Sequence, residues 1–477
     1  MTRLSRATLA GLGSAVAHLP APTATGIVHF GPGAFHRAHQ AAYIDTVLAD
    51  DPRWGIAAVS LRSRGTVQTL AAQDGLYSLA VRDAEPSLRV IGAHTRFLGL
   101  GDAAEIRALL GAPAVRMVTT TVTEKGYCLA PNGTLDFAHP DIVRDLGGAA
   151  VPQSVIGWIV AGLAARRSSG MSPFVPVPCD NLPGNGAKLH AALVAFAGMN
   201  DPALADWIAG EVRVPATMVD SITPASDAAL YADVAAALGV EDYAAVQRES
   251  FAQWVIEDIG ASFGPDLAGA GVILTDDVAG YEQAKLRILN GAHSTLAYVG
   301  LLRGAVSVAD AMRDVALSGF VDAMIQKDIM PILPTVRGLD LNGYRKAVLE
   351  RFRNPVIVHR LDQIAQDGTQ KLPYRLGDTL RANRRAGRMP GHVVAALGSW
   401  VAFLIRRSRQ GVAIVDPAGA RLSAIAIEGT PSAVIDRLVA ENLGLSRVLA
   451  DDPELLAALD HAASAAMAGD WRTVFSL

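Results

Sequence analysis

Three side chains that can accept a proton or stabilise a charge fall close together in the segment 281–294, among interspersed apolar residues. At about 100° per residue, Lys285, Asn290 and His293 lie within about 140° of one another on a helix. The apolar residues among them predict a buried helix, and burial lowers the pKa of an amine. Lys285 is therefore a candidate base for a substrate hydroxyl, and Asn290 a candidate donor to a developing oxyanion. The alternative is an amphipathic helix whose lysine reaches water.

A second amide stands in the loop 178–186 (PCDNLPGNG), which follows a short predicted strand at 174–177. In an open α/β sheet, ligands bind beyond the carboxyl ends of the strands. Asn181 is therefore a candidate second donor to the same oxyanion. A turn that uses Asn and Gly only for backbone reasons is the alternative.

The first apolar run, at 26–30, ends in the turn Gly31-x-Gly33-x-x-His36. A dinucleotide-binding fingerprint has glycine at all three positions, for the tight turn, for the approach of a pyrophosphate and for helix–strand packing. Here His36 replaces the third glycine, although the N–H groups that begin the next helix would still suit a diphosphate. On these residues alone, a tight turn that binds nothing is an equal alternative.

The end of the second predicted strand, 54–61, bears on the choice of dinucleotide. A unit that binds NAD places Asp or Glu there for the ribose hydroxyls, whereas this chain has LRSR at 61–64. Arg62 and Arg64 could favour a 2′-phosphate, so these residues leave both NAD and NADP open. His29, His36 and His39 lack the neighbouring carboxylate pattern of zinc enzymes, so we expect no metal.

Short apolar runs alternate with helical patterns over the first part of the chain. Strands are predicted at 26–30, 54–61, 90–92, 115–122, 174–177 and 272–274, and a helix at 35–48. This order indicates an α/β, Rossmann-type fold with a parallel, doubly wound sheet. After about residue 277 nearly every segment has helical spacing. We therefore expect a dinucleotide-binding domain at 1–275 and a mainly α-helical substrate-binding and catalytic domain at 276–477.

Composition excludes several classes of protein. The net charge of −4, without a strong basic patch, argues against a nucleic-acid partner. Cys128 and Cys179 have no CxxC partner, which fits a reducing compartment rather than a disulfide framework or a zinc site. The longest apolar run, 393–405, is shorter than the about 20 residues of a membrane span. The segment 1–18 is too poor in bulky apolar residues for a signal peptide, so we expect a cytoplasmic protein without a membrane partner.

Four ordered segments together resemble the polyol-specific long-chain dehydrogenases, the mannitol dehydrogenase family. They are GxGxFHRAHQ at 31–40, CDN at 179–181, VDxIxP at 219–224 and KxRxLNGxHS at 285–294. The turn of that family itself reads Gly-x-Gly-x-Phe-x-Arg-Ala-His, so His36 is no departure from it. The resemblance covers nearly the whole chain. It implies a Rossmann-type domain followed by a helical domain, with the active site between them.

The resemblance also implies a role for each matching residue. Lys285 would be the general base, and the amides of Asn181 and Asn290 would stabilise the oxyanion. His293 would position the substrate, and Glu282 would relay the proton to solvent. The cofactor-binding residues are expected to be Gly31, Gly33, Phe35, His36, Arg37 and Arg62. No metal is required, because the lysine and the two amides replace a Lewis acid; NAD is the expected cofactor, with NADP left open.

Two further segments resemble the fructuronate reductase branch of that family, namely TEKGYC at 123–128 and His359-Arg360 with DGTQKLP at 367–373. A uronate carries a carboxylate, with which Arg360 and Lys371 could pair. The alternative is that these cations serve sugar hydroxyls or the surface. The substrate-binding residues are thus expected to be Asp220, His359, Arg360 and Lys371.

The expected function is the interconversion of D-mannonate and D-fructuronate, with a small sugar acid or polyol as partner. The residues do not reveal the oligomeric state; members of the family that the chain resembles are often monomeric. A hexitol dehydrogenase that acts on mannitol and fructose is the alternative within this class. A non-catalytic nucleotide or sugar-acid sensor is the alternative outside it, since a fold does not fix a function. The lysine argues against a sensor, which needs no proton acceptor.

Overall fold

The computed structural model describes residues 1–16, 21–260 and 264–477, in two compact units, Met1–Ala279 and Gly280–Leu477. The N-terminal segment considered above as a signal peptide ends at residue 18, and its last two residues lie outside this description. The strands of the first unit are β1 (Thr25–Phe30), β2 (Gly55–Ser60), β3 (Tyr77–Val81), β4 (Ser87–Ile91), β5 (His94–Gly99), β6 (Met117–Thr120), β7 (Val175–Pro178), β8 (Thr217–Asp220), β9 (Val246–Arg248), β10 (Gln253–Glu257) and β11 (Ile273–Thr275).

The helices fall into two groups along the chain. Those that begin before the division are α1 (Ala34–Ala38), α2 (Gln40–Val47), α3 (Gly65–Ala71), α4 (Ala103–Gly111), α5 (Pro140–Leu146), α6 (Val155–Ser168), α7 (Asn185–Gly198), α8 (Pro202–Glu211), α9 (Ala228–Leu238) and α10 (Val278–Ala284). Those beyond it are α11 (Gly291–Leu302), α12 (Val308–Arg313), α13 (Val315–Met324), α14 (Leu341–Arg353), α15 (Leu361–Ile364), α16 (Gly368–Leu372), α17 (Asp378–Arg385), α18 (Gly391–Arg409), α19 (Gly419–Ala426), α20 (Pro431–Ala440), α21 (Pro453–Ala468) and α22 (Trp471–Ser476).

A five-stranded parallel sheet in the order β5-β2-β1-β6-β7 forms the centre of the first unit. Successive residues of its strands enter two different cores. Ile27 and Ile56 lie on one face of the sheet, and Val28 and Ala57 on the other. Because both faces are buried, these strands are apolar throughout, which is why their sequence reveals them. The predicted α/β class with a doubly wound parallel sheet is confirmed.

Two smaller sheets, β4-β3-β9 and β11-β10-β8, contain the strands predicted at 90–92 and 272–274. Each combines parallel and antiparallel pairs, so these two segments lie outside the parallel sheet. No strand was predicted at β5, because its second to fourth residues are partly or fully exposed and interrupt the apolar run.

The turn after β1 lies where the strand order reverses, between β1 and β6, which is the usual ligand crevice of such a sheet. Gly31 has a φ of +95°, and a Cβ atom there would lie 2.5 Å from the carbonyl oxygen of Thr121. Gly33 has a φ of −70°, and its Cβ would meet nothing nearer than the Gly31 carbonyl oxygen, at 3.9 Å. Gly31 therefore closes the turn against the neighbouring strand end, whereas Gly33 leaves open space.

The helix predicted at 35–48 is two helices, α1 and α2. The chain breaks at His39, which has φ −120° and ψ −88°. Its Nε2 atom lies 3.0 Å from the carbonyl oxygen of Gln253, and its ring stacks on Phe35 with centroids 5.0 Å apart. The contacts of this one side chain with β10 and α1 coincide with the interruption, which leaves α1 with five residues.

In the second unit, α18 packs against α11, α19 and α21. Gly398 permits the closest of these approaches, since a Cβ atom there would lie 2.6 Å from the Cβ of Ala462. The apolar run 393–405 lies within α18 and is buried, as expected. None of the helices that the structure describes is long and apolar enough to cross a membrane.

Three turns of the second unit are π-helical, with hydrogen bonds between residues five apart; they are Lys285–Asn290, Ile325–Ile329 and Pro373–Gly377. The first packs against both of the others, and the contact centres on Gly291. A Cβ atom at Gly291 would lie 3.1 Å from the carbonyl oxygen of Arg375 and 3.8 Å from Cδ1 of Ile329. The missing side chain thus lets the three widened turns approach one another.

Gly31→Ala is expected to lower the free energy of unfolding by about 1–3 kcal/mol, because it combines an unfavourable φ with a clash against backbone. Gly33→Ala is the matched control and should change it by less than about 0.5 kcal/mol, since its φ is ordinary and the space is open. Urea unfolding followed by circular dichroism measures both. Equal losses in the two variants would contradict the close approach at Gly31.

Candidate active site

Three buried imidazoles lie beneath the glycine turn. His29 has Nδ1 2.7 Å from Oγ1 of Thr119 and Nε2 2.9 Å from Oγ1 of Thr121. His36 stacks on it with ring centroids 3.4 Å apart, and its Nε2 lies 3.1 Å from Nε2 of His94. Burial lowers the pKa of His29 and of His94 to about 3, and that of His36 well below its ordinary value. The three rings are therefore neutral near pH 7 and pack the turn onto the sheet.

The side chain of Arg37 is also buried and donates to the carbonyl oxygen of Ala244. A side chain without exposed surface has nothing to offer a ligand. With their side chains buried, His36 and Arg37 have their backbone left to contact a ligand, and their assignment as cofactor-binding residues stays a prediction. Phe35, by contrast, is half-buried at the turn.

The segment after β2 carries two arginines that already have acid partners. Arg62 donates from Nη2 to Oδ2 of Asp141, and Arg64 donates from Nη2 to Oδ2 of Asp102 at 3.0 Å. Both arginine side chains are more than half exposed. Because each charge is balanced within the chain, neither arginine needs a 2′-phosphate, which weakens the case for NADP that the sequence left open.

One group among the described residues has the spacing of metal ligands, with atoms of Cys128, His139 and Asp141 all within 4.8 Å of one another. Burial raises the pKa of the Cys128 thiol to about 11, and the charge of Asp141 adds to this. The thiolate that a metal requires is thus disfavoured. Asp141 is also the partner of Arg62. We therefore assign no metal to this group.

The loop that carries Asn181 is fixed by a residue that the sequence analysis missed. Asn185, at the start of α7, donates from Nδ2 to the carbonyl oxygen of Thr217 and accepts from its N–H, each at 3.0 Å. Asn181 is exposed just beyond β7, and Asp220 is buried at the other end of the strand that Thr217 begins. Asn185 therefore ties the segment of Asn181 to β8. The available signal was the adjoining Gly186, whose Cβ would lie 2.6 Å from a backbone nitrogen atom.

Lys285 and Asn290 are the first and last residues of one π-helical turn. Hydrogen bonds in such a turn join residues five apart. The angle between the two side chains about the helix axis is therefore smaller than the about 140° expected in an α-helix. Lys285, Asn290 and Glu282 are half-buried, whereas Ile288 and Leu289 are buried. The apolar positions are buried as expected, but the α-helical geometry assumed for this segment is wrong.

His293 meets two aromatic rings within the second unit. Its ring centroid lies 4.5 Å from that of Phe352 and 5.7 Å from that of His359, the latter edge-on. Burial lowers the pKa of His359, and the charge of Arg351 adds to this effect. A neutral imidazole can donate to or accept from a sugar hydroxyl. The structure thus brings together two of the predicted substrate-binding residues, His293 and His359.

Arg360 and Lys371 have acid partners close by in the chain. Arg360 makes two hydrogen bonds to Asp362, of 3.1 and 2.7 Å, at the surface. Nζ of Lys371 lies 3.3 Å from Oδ2 of Asp367 and donates to the carbonyl oxygen of Gln366 at 2.9 Å. Both cations thus have a carboxylate of the chain beside them, and their assignment to a substrate carboxylate stays a prediction.

Arg375 is a cation that the sequence analysis missed. It lies on the third π-helical turn and donates from Nη1 to Oγ of Ser294, the residue after His293, at 3.1 Å. Burial lowers the pKa of its guanidinium group, an effect that Tyr298 opposes. A single arginine in a polar segment has no spacing that marks it, so only the structure identifies it.

Comparisons with known proteins cover both units. The mannitol dehydrogenase Rossmann domain family matches residues 25–266, and the mannitol dehydrogenase C-terminal domain family matches residues 277–466. The chain is 39% identical to D-mannonate oxidoreductase of Escherichia coli (strain K12), with 89% of each protein covered. It is 36% identical to polyol:NADP oxidoreductase of Gluconobacter oxydans (strain 621H), with 81% of each covered.

Among solved structures, the chain is similar to the ternary complex of Pseudomonas fluorescens mannitol 2-dehydrogenase with NAD and D-mannitol. The sequence identity is 32% and the TM-score 0.81, with 100% of this chain and 99% of that chain covered. Both the fold and the order of the two domains are thus shared with a protein of known structure.

The buried imidazoles predict that stability falls in acid. Their pKa in the folded chain lies below the about 6.5 of an unfolded chain, so the unfolded chain binds more protons as the pH decreases from about 6.5 toward about 3. His94→Gln removes one such group and should reduce the slope of unfolding free energy against pH, between pH 6 and 4, by about 1 kcal/mol per unit. Urea unfolding at several pH values measures this slope. The exposed His461→Gln should leave it unchanged, and an unchanged slope for His94→Gln would refute the assignment.

Proposed function

Since the chain belongs to the mannitol dehydrogenase family, we propose that it interconverts D-mannonate and D-fructuronate with a nicotinamide cofactor, using Lys285 as general acid and base. The observation that carries the proposal is the π-helical turn that begins at Lys285 and ends at Asn290. An amine and an amide on one half-buried turn suit the two tasks of alcohol oxidation, which are removal of a proton and stabilisation of the oxygen.

The residues of the chain handle the proton and the oxygen, while the cofactor, when bound, accepts the hydride. In the oxidation direction, neutral Lys285 takes the hydroxyl proton as the hydride leaves the same carbon. The amides of Asn290 and Asn181 donate hydrogen bonds to the oxygen as it becomes a carbonyl. Glu282, three residues before Lys285, passes the proton to solvent, and His293 holds a neighbouring hydroxyl. In reduction Lys285 returns the proton.

The choice of a sugar acid over a hexitol rests on the relatives. In sequence, D-mannonate oxidoreductase of E. coli is 39% identical over 89% of the chain and mannitol 2-dehydrogenase of Cereibacter sphaeroides is 37% identical over 82%, while the P. fluorescens structure is 32% identical. Oxidation of mannitol to fructose is the second candidate, because the latter structure has a fold of the same arrangement and contains D-mannitol. The chemistry at Lys285 is the same for both substrates.

NAD is the cofactor we propose. The open space at Gly33 suits a pyrophosphate, which must approach the turn closely. The ion pairs of Arg62 and Arg64 leave no unbalanced cation after β2. The P. fluorescens structure contains NAD, whereas the G. oxydans relative is named for NADP, so these arginines are where a preference would be set.

Lys285→Ala should reduce kcat for sugar-acid oxidation by about 100- to 10,000-fold, the usual contribution of a general base. NADH binding, measured by fluorescence titration, should be unaffected. Lys346→Ala, which removes an exposed lysine of α14, is the matched control and should retain full activity. Turnover by Lys285→Ala within a few-fold of the parent would exclude this lysine as the base.

Asp141→Asn should raise the ratio of kcat/KM for NADP to that for NAD on the order of 5-fold, because it releases Arg62 from its acid partner at an exposed site. Steady-state rates with each dinucleotide give the ratio. Asp206→Asn, which neutralises an exposed carboxylate of α8, controls for net charge. A ratio unchanged in Asp141→Asn would show that Arg62 does not contact the ribose 2′ position.

A further inference from the structure

Arg375 is a largely buried cation that has no carboxylate partner among the residues that the structure describes. Its one hydrogen bond runs from Nη1 to the neutral hydroxyl of Ser294, at 3.1 Å. The other nitrogen atoms, Nε and Nη2, have no hydrogen bond within the described chain yet are not enclosed, so they face accessible space. The guanidinium thus has donors that point away from protein groups.

Several other partly buried arginines of the same unit have an acid partner, whereas Arg287 and Arg407 donate to backbone carbonyl oxygens. The ion pairs of partly buried arginines are Arg303–Asp314, Arg345–Asp322, Arg381–Asp378 and Arg384–Asp452. Removing a guanidinium from water is costly unless an acid or hydrogen bonds compensate it, so buried charges are normally paired. A half-compensated guanidinium such as Arg375 is therefore suited to an anionic ligand.

The place of Arg375 relates it to the reacting groups of the second unit. Ser294, which it contacts, follows Asn290 by four residues, so the two lie one turn apart on the same face of the helix. One helical turn spans about 5.4 Å. In D-mannonate the carbon that is oxidised lies four bonds from the carboxyl carbon, about 5 Å in an extended chain. The two spacings agree.

We propose that Arg375 binds the carboxylate of the substrate and thereby selects sugar acids over neutral polyols. The inference rests on the proposed function for the placement of the reacting carbon beside Asn290. Arginine presents parallel N–H groups that match the two oxygens of a carboxylate. With Nη1 on Ser294, Nε and Nη2 form the edge that remains for such a pair. Arg375 takes the role that the sequence assigned to Arg360 and Lys371.

The test compares Arg375→Gln with Ser294→Ala on one acidic and one neutral substrate. Arg375→Gln keeps a donor for Ser294 but loses the charge, and should lower kcat/KM for D-mannonate about 10- to 100-fold, mainly through KM. With D-mannitol, kcat/KM of Arg375→Gln should stay within about 3-fold of that of the unsubstituted protein. Ser294→Ala removes the contact that orients the arginine, so it should lower kcat/KM for D-mannonate by less than Arg375→Gln does and leave kcat/KM for D-mannitol within about 3-fold of that of the unsubstituted protein. Arg375→Lys keeps the charge but loses the parallel N–H groups. Its kcat/KM for D-mannonate should therefore lie between that of Arg375→Gln and that of the unsubstituted protein.

Calorimetric titration of D-mannonate and D-mannitol into the protein saturated with NADH separates this inference from the proposed function, because it needs no turnover. The inference requires that the parent bind D-mannonate more tightly and that Arg375→Gln lose this preference. Equal weakening of both ligands, or a parent that binds D-mannitol as tightly as D-mannonate, would overturn it. A parent that binds D-mannonate through Arg375 but never oxidises it would overturn the proposed function alone.

Discussion

The contact of three π-helical turns around Gly291 is the constraint on which the candidate site of the helical unit depends. A π-helical turn is rare, since it widens the helix by one residue, and it persists where packing supports it. Here the first turn is pressed against the other two, and a backbone oxygen occupies the place of a side chain at Gly291. The same contact determines the side of the helix on which Lys285 and Asn290 lie. It also determines the position along α11 at which Arg375 reaches Ser294. The proposed catalytic and substrate-selecting groups are thus held by one packing arrangement.

In the first unit, polar side chains pack the helix onto the sheet at the position where other nucleotide-binding turns have a glycine. His36 stands where the third glycine of the fingerprint would be, and its ring fills the space between His29 and His94. Such a core is stable only while the rings stay uncharged and their nitrogen atoms have partners. The hydroxyls of Thr119 and Thr121 meet part of this need and join β1 to β6.

The sequence revealed those elements that are apolar on every side. Strands β1, β2, β6 and β7 were predictable because both faces of the parallel sheet are covered, whereas β5, with three consecutive residues that are not buried, was not. Helical periodicity located the segment of Lys285 but could not show a single extra residue in the turn. Asp362 lies two residues after Arg360, and Asp367 lies four residues before Lys371. Both acid partners were therefore visible in the sequence. That Arg375 lacks such a partner could be learned only from the positions of all its neighbours.

The helix that follows the glycine turn has a single turn before His39 interrupts it. The positive end of a helix arises from many aligned peptide dipoles, so α1 supplies little of that diffuse field. Attraction for a diphosphate must then come from individual N–H groups in direct contact, which mobile ions screen far less than they screen a long-range potential. We therefore expect dinucleotide affinity in this protein to depend on contacts at short distance and to change little with ionic strength.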